Sequence, residues 1–222
     1  MTAPPRGRAG RPPLTEERKA ETRLRIARAA VELFVAQGVV ATTGEQIGQA
    51  VGVSARTVWR YFPSKESCVR PLLSAGIDLV AARLRDWLPG QPLEQLFEDE
   101  FTDAHDVPAG PDRATVGALV RLTRTEPGLR AVWLQMYDEA EPVFARALAE
   151  RAGPPADDLR TTIRAAMFNA ALRAAVEHYA WRTDTTAGPT TADAGTTDAA
   201  TADAELVATL RSAFTVAAEG LR

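Results

Sequence analysis

"TGEQIGQAVGVSARTVWRYFPSK", residues 43–65, holds two short helices and the turn between them. Thr43 stands three residues before Gln46, the spacing of a capping box, in which each side chain satisfies a backbone N–H of the other's segment. Ile47 and Val51 share one face of the helix that follows, and Gly52 stands where a helix ends in the left-handed conformation. Val53 offers an apolar contact across the turn, and Ser54 is the N-cap of the next helix, "ARTVWRYF". Pro63 stops that helix, because it pushes Phe62 out of the helical region. Two short helices joined by a three-residue turn containing glycine carry the helix-turn-helix signature.

On the second helix, Val58 and Phe62 lie four apart and face a core, which leaves Ala55, Arg56, Trp59 and Arg60 outside, flanked by Thr57 and Tyr61. Set in a major groove, such a helix would present its N-terminal residues to base edges and its aromatic and basic flank to phosphates. From the helix alone a second reading stands beside this one: a solvated amphipathic helix whose aromatics pack on a neighbour. Charge bears on the choice. The 222 residues have a net charge of -3, yet residues 1–70 carry 12 Lys and Arg against 6 Asp and Glu, while the remainder carries 14 against 23. A basic first third on an acidic remainder fits a polyanion partner for the first part alone.

Working outward, helical periodicity recurs from residue 15 onward and no segment alternates like a strand, so the fold class is all-α, with about nine helices. Residues 1–14, rich in Pro, Gly and Arg, form a flexible basic arm. Residues 15–63 form the helix-turn-helix domain, a candidate DNA-binding domain, whose first helix is capped by Thr15, carries Leu24, Ala27, Val31 and Phe34 on one stripe, and ends near Gly38. Residues 64–222 form a larger helical domain. Its first helix, the fourth of the chain, is capped by Ser64 and runs to about Leu88. Further helices are expected at about 92–106, 111–125, 127–152, 156–182 and 204–221. Pro71 and Pro142 fall inside two of these and would kink or break them unless the flanking residues adjust. The low-complexity Thr, Ala and Asp stretch at about 183–204 is expected to be a disordered loop.

The stretch "IARAAVELFVAQGVVATTGEQIGQAVGVSARTVWRYFPSKES" resembles the DNA-binding domain of the TetR family of bacterial transcriptional regulators. The resemblance rests on Ala29-Ala30, Leu33-Phe34, Gly38, Thr42-Thr43, Ile47, Gly52-Val53-Ser54, Tyr61-Phe62 and Ser64-Lys65-Glu66. It implies an N-terminal three-helix DNA-binding domain on a helical domain that pairs with a second copy and binds a small effector. The DNA contacts it implies are Thr43, Ser54, Ala55, Arg56, Trp59, Arg60, Tyr61 and Lys65. Two positions depart from the family's common residues: Arg56 stands where many members have Gly, and Trp59 where many have Tyr. Arg56 can address a guanine bidentately, and the Trp59 indole N–H can donate to a phosphate but cannot accept. In the arm, Gly10-Arg11-Pro12 resembles an AT-hook core, which makes Arg8 and Arg11 candidates for a narrow minor groove, where the potential is strongly negative.

The acidic domain carries no nucleophile motif, phosphate-cradling loop or metal-ligand spacing, so no enzyme, cofactor or metal is expected. His105, in "DEFTDAHD", reads as a solvated helix end, and His178 as a polar surface or interface residue. The single cysteine, Cys68, excludes an intramolecular disulfide and reads as a small packing residue, with redox sensing as the alternative. The resemblance places dimerisation on the last two helices, where Ala166, Ala170 and Ala174 form a ridge and Leu206, Leu210 and Phe214 a stripe. The alternative is that these stripes only close the chain's own core. An effector pocket among the fifth to eighth helices would draw on Phe97, Phe101, Trp133, Met136, Tyr137 and Phe168. "RLTRTEPGLRAVWLQMY" is more loosely similar to family members of the mycofactocin-regulator type, which implies an apolar or acyl-chain effector such as an acyl-CoA. The expected partners are palindromic double-stranded DNA, the effector and a second copy of the chain. No apolar run is long enough to span a membrane and the N-terminus has no signal-peptide core, so the expected compartment is the cytoplasm. The expected role is an effector-released repressor, with an activator or an effector-independent DNA binder as the alternative.

Overall fold

The computed structural model describes residues 15–87, 96, 113–152, 155–186 and 197–219. Eight α-helices and one 3-10 segment account for them: α1 (Glu16–Gln37), α2 (Gly44–Val51), α3 (Ala55–Tyr61), the 3-10 turn Glu66–Val69, α4 (Arg70–Asp86), α5 (Arg113–Leu122), α6 (Pro127–Ala152), α7 (Leu159–Thr186) and α8 (Thr197–Glu219). There is no strand among the described residues, and the all-α expectation holds. Of the helix expected at 92–106, only Leu96, which is buried, falls within the described residues.

The head is assembled as the local signals dictate. The Thr15 side chain accepts from the Arg18 N–H at the start of α1, whose stripe buries Ile26, Ala27, Ala30, Val31 and Phe34. The capping box is present: Thr43 Oγ1 accepts from the Gln46 N–H at 3.3 Å, and Gln46 Oε1 accepts from the Thr43 N–H at 2.8 Å. Gly52 adopts the left-handed conformation, φ 73°. The Val53 N–H reaches the Gly48 carbonyl at 2.8 Å and the Gly52 N–H the Gln49 carbonyl at 3.2 Å, the two bonds of a Schellman end. Ser54 Oγ caps α3 by accepting from the Thr57 N–H, and Phe62 is extended before Pro63. Val58 and Phe62 are buried in the same hydrophobic core as Phe34 and Ile47.

Two expectations change where head meets body. Ser64 does not cap a long fourth helix; its hydroxyl accepts from the Ser67 N–H and closes the 3-10 turn, after which α4 begins at Arg70. Pro71 therefore lies in the first turn of α4, where its missing N–H has no helical partner to lose, and it causes no kink. Pro142 sits inside α6, which nevertheless runs unbroken to Ala152. Both ends of the expected loop at 183–204 are helical instead, since α7 extends to Thr186 and α8 starts at Thr197. Alanines at 199, 200, 202 and 204 favour helix once the packed part of α8 has nucleated it.

In the body, α6 and α7 pack together, α4 packs on α6, and α5 and α8 pack on α7. Phe144, Phe168 and Phe214 stack in sequence across α6, α7 and α8, with centroids 5.0 and 4.8 Å apart. Gly48 is the tightest backbone point of the head, because a Cβ there would stand 2.6 Å from the Val53 carbonyl oxygen. Gly48→Ala is expected to destabilise the protein by about 1–3 kcal/mol despite alanine's better helix propensity, read as a lowered thermal unfolding midpoint.

Candidate nucleic-acid interface

The outer face of α3 is laid out as its sequence spacing demands. Val58 is fully buried, while Arg56, Trp59 and Arg60 are exposed and Ala55, Thr57 and Tyr61 half-buried. Arg56 makes no hydrogen bond or ion pair among the described residues, so its guanidinium is unengaged. Arg60 lies over the Tyr61 ring at 5.1 Å, and Arg23 of α1 lies over it at 5.4 Å, which places two cations against one aromatic ring. Ser54 spends its hydroxyl on the cap and on a 3.0 Å contact with Thr57 Oγ1.

Trp59 is 43% exposed, and its other face is used up at close quarters. Its ring lies against Gly44, the first residue of α2, so closely that a Cβ at position 44 would fall 2.0 Å from Trp59 Cζ2. The Thr43 cap and the α3 aromatic are thereby brought together on one edge. Sequence reading missed this pairing of a bulky Trp with a glycine fifteen residues earlier, although Gly44 directly after an N-cap was a visible signal.

Lys65 is the largest departure from expectation. Its ammonium donates to the carbonyls of Val39, Val40 and Thr42 at 2.5, 3.2 and 3.1 Å. An ammonium has three donors, and all three are spent on the α1–α2 loop. Lys65 is half-buried, and in this structure it closes the loop that leads into α2, a role the phosphate-contact expectation did not include. Arg25 adds a second tie, donating to the Val51 carbonyl at the end of α2 at 2.9 Å. Arg8 and Arg11 lie outside the described residues.

Cys68 is fully buried, and its thiol points to the Ser64 carbonyl. Burial, and after it the Glu66 charge, push its pKa up to about 12, the opposite of what a reactive thiolate needs. The packing reading of Cys68 is the one this environment fits.

The four candidate pocket residues within the described set, Trp133, Met136, Tyr137 and Phe168, are all buried where α6 meets α7, whereas Phe97 and Phe101 lie outside it. Trp133 and Tyr137 meet edge to face at 4.7 Å. Bonded to one of them is a residue that sequence reading passed over. Glu177 is only 7% exposed, and it accepts from Arg130 at 2.5 Å and from Trp133 Nε1 at 2.7 Å, with Arg173 at 3.5 Å. Burial, then the Glu177 charge, raise the Tyr137 hydroxyl well above its ordinary pKa, so it remains a protonated donor. Asn169 donates to the Tyr137 carbonyl at 2.8 Å, while its buried Oδ1 has no hydrogen-bond partner among the described residues. His178, beside Glu177, is exposed, and His105 lies outside the described residues.

The stripes assigned to dimerisation divide. Ala170 and Ala174 are exposed and Ala166 half-buried, but Leu210 and Phe214 are buried in the chain's own core and Leu206 is half-buried against it. The placement of Leu210 and Phe214 at an interface is therefore corrected: Phe214 stacks on Phe168 of its own chain. On α7 the exposed apolar residues are Leu159, Ile163 and Met167, one per turn, leading into Ala170 and Ala174.

A head of three helices, the second and third short, that presents cations and an aromatic from its third helix, joined to a larger helical body, defines a helix-turn-helix DNA-binding regulator. The family model for bacterial regulatory proteins of the tetR family matches residues 26–72, and that for the MftR C-terminal domain matches residues 92–194. Over 180 residues the chain is 36% identical to the HTH-type transcriptional regulator TcmR of Streptomyces glaucescens, covering 78% of this chain and 80% of that one. It is 28% identical over 184 residues to a protein of Mycobacterium tuberculosis described as a mycofactocin biosynthesis transcriptional regulator, MftR, covering 78% and 86%. Salmonella enterica GusR shares the fold, with a TM-score of 0.50 and 20% identity over 91% of this chain and 96% of that one. The chain belongs to the TetR family of bacterial transcriptional regulators. It is a regulator and not an enzyme. No helix among the described residues is long and apolar enough to cross a membrane.

Two expectations follow from these placements. Lys65→Gln is expected to lower stability by about 1–3 kcal/mol while leaving the slope of log affinity for DNA against log salt unchanged, measured by thermal unfolding and by a binding titration across salt. A slope reduced by about one unit would return Lys65 to the phosphate contacts. A thiol-specific disulfide reagent at about pH 8 is expected to leave Cys68 unmodified in the folded protein and to label it once the chain is unfolded.

Proposed function

We propose that the chain is a homodimeric repressor that occupies a palindromic operator and leaves it when a small, mainly apolar effector binds the acidic domain. The observation that carries this reading is the exposed Arg56, Trp59 and Arg60 face on a helix whose opposite side, Val58 and Phe62, is locked in the core. Arg56 reads a base edge, and Arg60 and the Trp59 indole N–H hold phosphates. Thr43, Ser54, Ala55 and Tyr61 complete the contact face, and Arg8 and Arg11 enter the adjacent minor groove.

The effector site in this reading lies between α6 and α7, against Trp133, Met136, Tyr137 and Phe168. The aromatic lining supports an apolar ligand, and the unpartnered Oδ1 of Asn169 supports one hydrogen-bond donor on it. The dimer face is the α7 stripe of Leu159, Ile163 and Met167, 73%, 50% and 43% exposed, together with Ala170, Ala174 and Val216 of α8. Large exposed apolar side chains in a row mark an interaction surface, and the alanines allow close approach of a second α7.

Selection from a random DNA library with the purified protein tests the reading. An enriched palindrome is expected, with half-sites about 34–36 Å apart, bound far more tightly than random DNA and weakening steeply with salt. On that palindrome Arg56→Ala should cost about 1–3 kcal/mol and relax the preference at one base position, whereas Arg60→Ala should weaken all sequences alike and lower the salt slope by about one unit. Equal affinity for every sequence would sink the repressor reading, and an effector that tightens operator binding would overturn effector-driven release.

A further inference from the structure

The residues that join head to body face two ways. Lys65 reaches back into the head, where its ammonium holds the Val39, Val40 and Thr42 carbonyls, the last of them immediately before the Thr43 cap of α2. Glu66, the next residue, reaches the other way. Its side chain lies against Gly128, the second residue of α6, and a Cβ at 128 would stand 2.9 Å from Glu66 Cγ and 3.6 Å from Cδ. The 3-10 turn that Glu66 begins is packed on α1, α4 and α6, with Ser67, Cys68 and Val69 buried, so it has little room to absorb a displacement.

We propose that Glu66 and Gly128 are positioning residues for DNA binding: the end of α6 bears on Glu66, and through the adjoining Lys65 it sets the α1–α2 loop and hence the aim of α2 and α3. Gly128 is five residues from Trp133 on the same helix, about 7.5 Å along its axis. Arg130, between them, is bound to Glu177 of α7. A shift of α6 against α7 therefore acts at Glu66 directly, without passing along the length of α4. Glycine at 128 is what allows the close seat, since any side chain there meets the Glu66 stem. The proposal rests on the regulator reading above for its DNA readout.

The test is a double-mutant cycle in the full-length protein without effector, on the palindrome from the library selection and on random DNA. Gly128→Ala is expected to weaken operator binding about three- to tenfold with the thermal midpoint and the affinity for random DNA unchanged. Glu66→Ala, which removes the stem, is expected to weaken it as well, and Glu66→Gln, which keeps the stem, to bind as the wild type does. In the Glu66→Ala background Gly128→Ala should have no further effect, because the two substitutions act on one contact. Additive effects, or wild-type operator affinity in both Gly128→Ala and Glu66→Ala, overturn the proposal. If Gly128→Ala does not fold, the contrast between Glu66→Ala and Glu66→Gln decides it. Amide hydrogen exchange at residues 39–46 gives a readout independent of DNA. Faster exchange in Glu66→Ala but not in Glu66→Gln supports the joint even where no palindrome is found, and equal exchange in both variants and the wild type overturns it.

Discussion

Helices as short as α2 and α3, eight and seven residues, do not persist alone in water, since nucleation costs more than two turns of hydrogen bonds return. Everything that lets this protein read DNA depends on restraints from outside those helices. Three kinds of restraint act together. The apolar side chains Ile47, Val58 and Phe62 meet Phe34 of α1 in one core. The Schellman bonds around Gly52 and the close seat of Gly48 under the Val53 carbonyl set the angle between α2 and α3. Lys65 and Arg25 then bind the loop before α2 and the carbonyl at its end, so both ends of α2 are held by cations on other segments. The basic residues of the head serve two purposes, and only those not spent on the fold remain for a polyanion.

The body meets a similar constraint with the opposite charge. Glu177 is buried, and a buried carboxylate is costly unless its partners are well placed. Here two guanidinium groups and an indole N–H converge on it from α6 and α7. The indole donor belongs to Trp133, so the same carboxylate that offsets its own burial also orients the aromatic wall of the α6–α7 site. Breaking that set would leave two arginines facing an aromatic cluster, which favours one register of α6 on α7 over its neighbours.

How much of this was legible in the sequence follows from the range of each interaction. The capping box at Thr43, the left-handed Gly52, the Ser54 cap and the Pro63 stop are all encoded within four residues of where they act, and all are present. Lys65 was read as a phosphate contact because its acceptors lie 23 to 26 residues away and are backbone carbonyls, which leave no mark in the side-chain pattern. The Ser64 turn was read as the cap of a long helix, since Pro71 looks the same in a helix interior and in a first turn until the start is known. Leu210 and Phe214 were placed at an interface because a stripe shows that a face is covered and not by what. Glu177 escaped notice because a Glu among alanines on a helix is ordinarily solvated, and only the arrival of Arg130 and Trp133 from another helix makes it a centre.

The size of the response sets a limit on how such a body can control such a head. Moving a regulator from mostly bound to mostly free, 1:99 to 99:1, takes about 5.5 kcal/mol of differential effector affinity, while a single coupling contact carries about 0.5–2 kcal/mol. The seat of Gly128 on Glu66 is one contact and falls short of that total. Two others run beside it between α6 and α4: the Arg70–Glu139 ion pair and the approach of Ser74 Oγ to Met136 Sδ at 3.8 Å. Met136 is buried beside the α6–α7 aromatics and Arg70 opens α4, so α6 meets the 3-10 turn and α4 at three points between Gly128 and Glu139. A rigid α6 moving as one body would act on all of them in the same direction, whereas a flexible one would lose most of the difference before it reached the head. All three contacts lie on the N-terminal side of Pro142, so in the proposed control it is the stretch from Gly128 to Glu139 that has to move as one body.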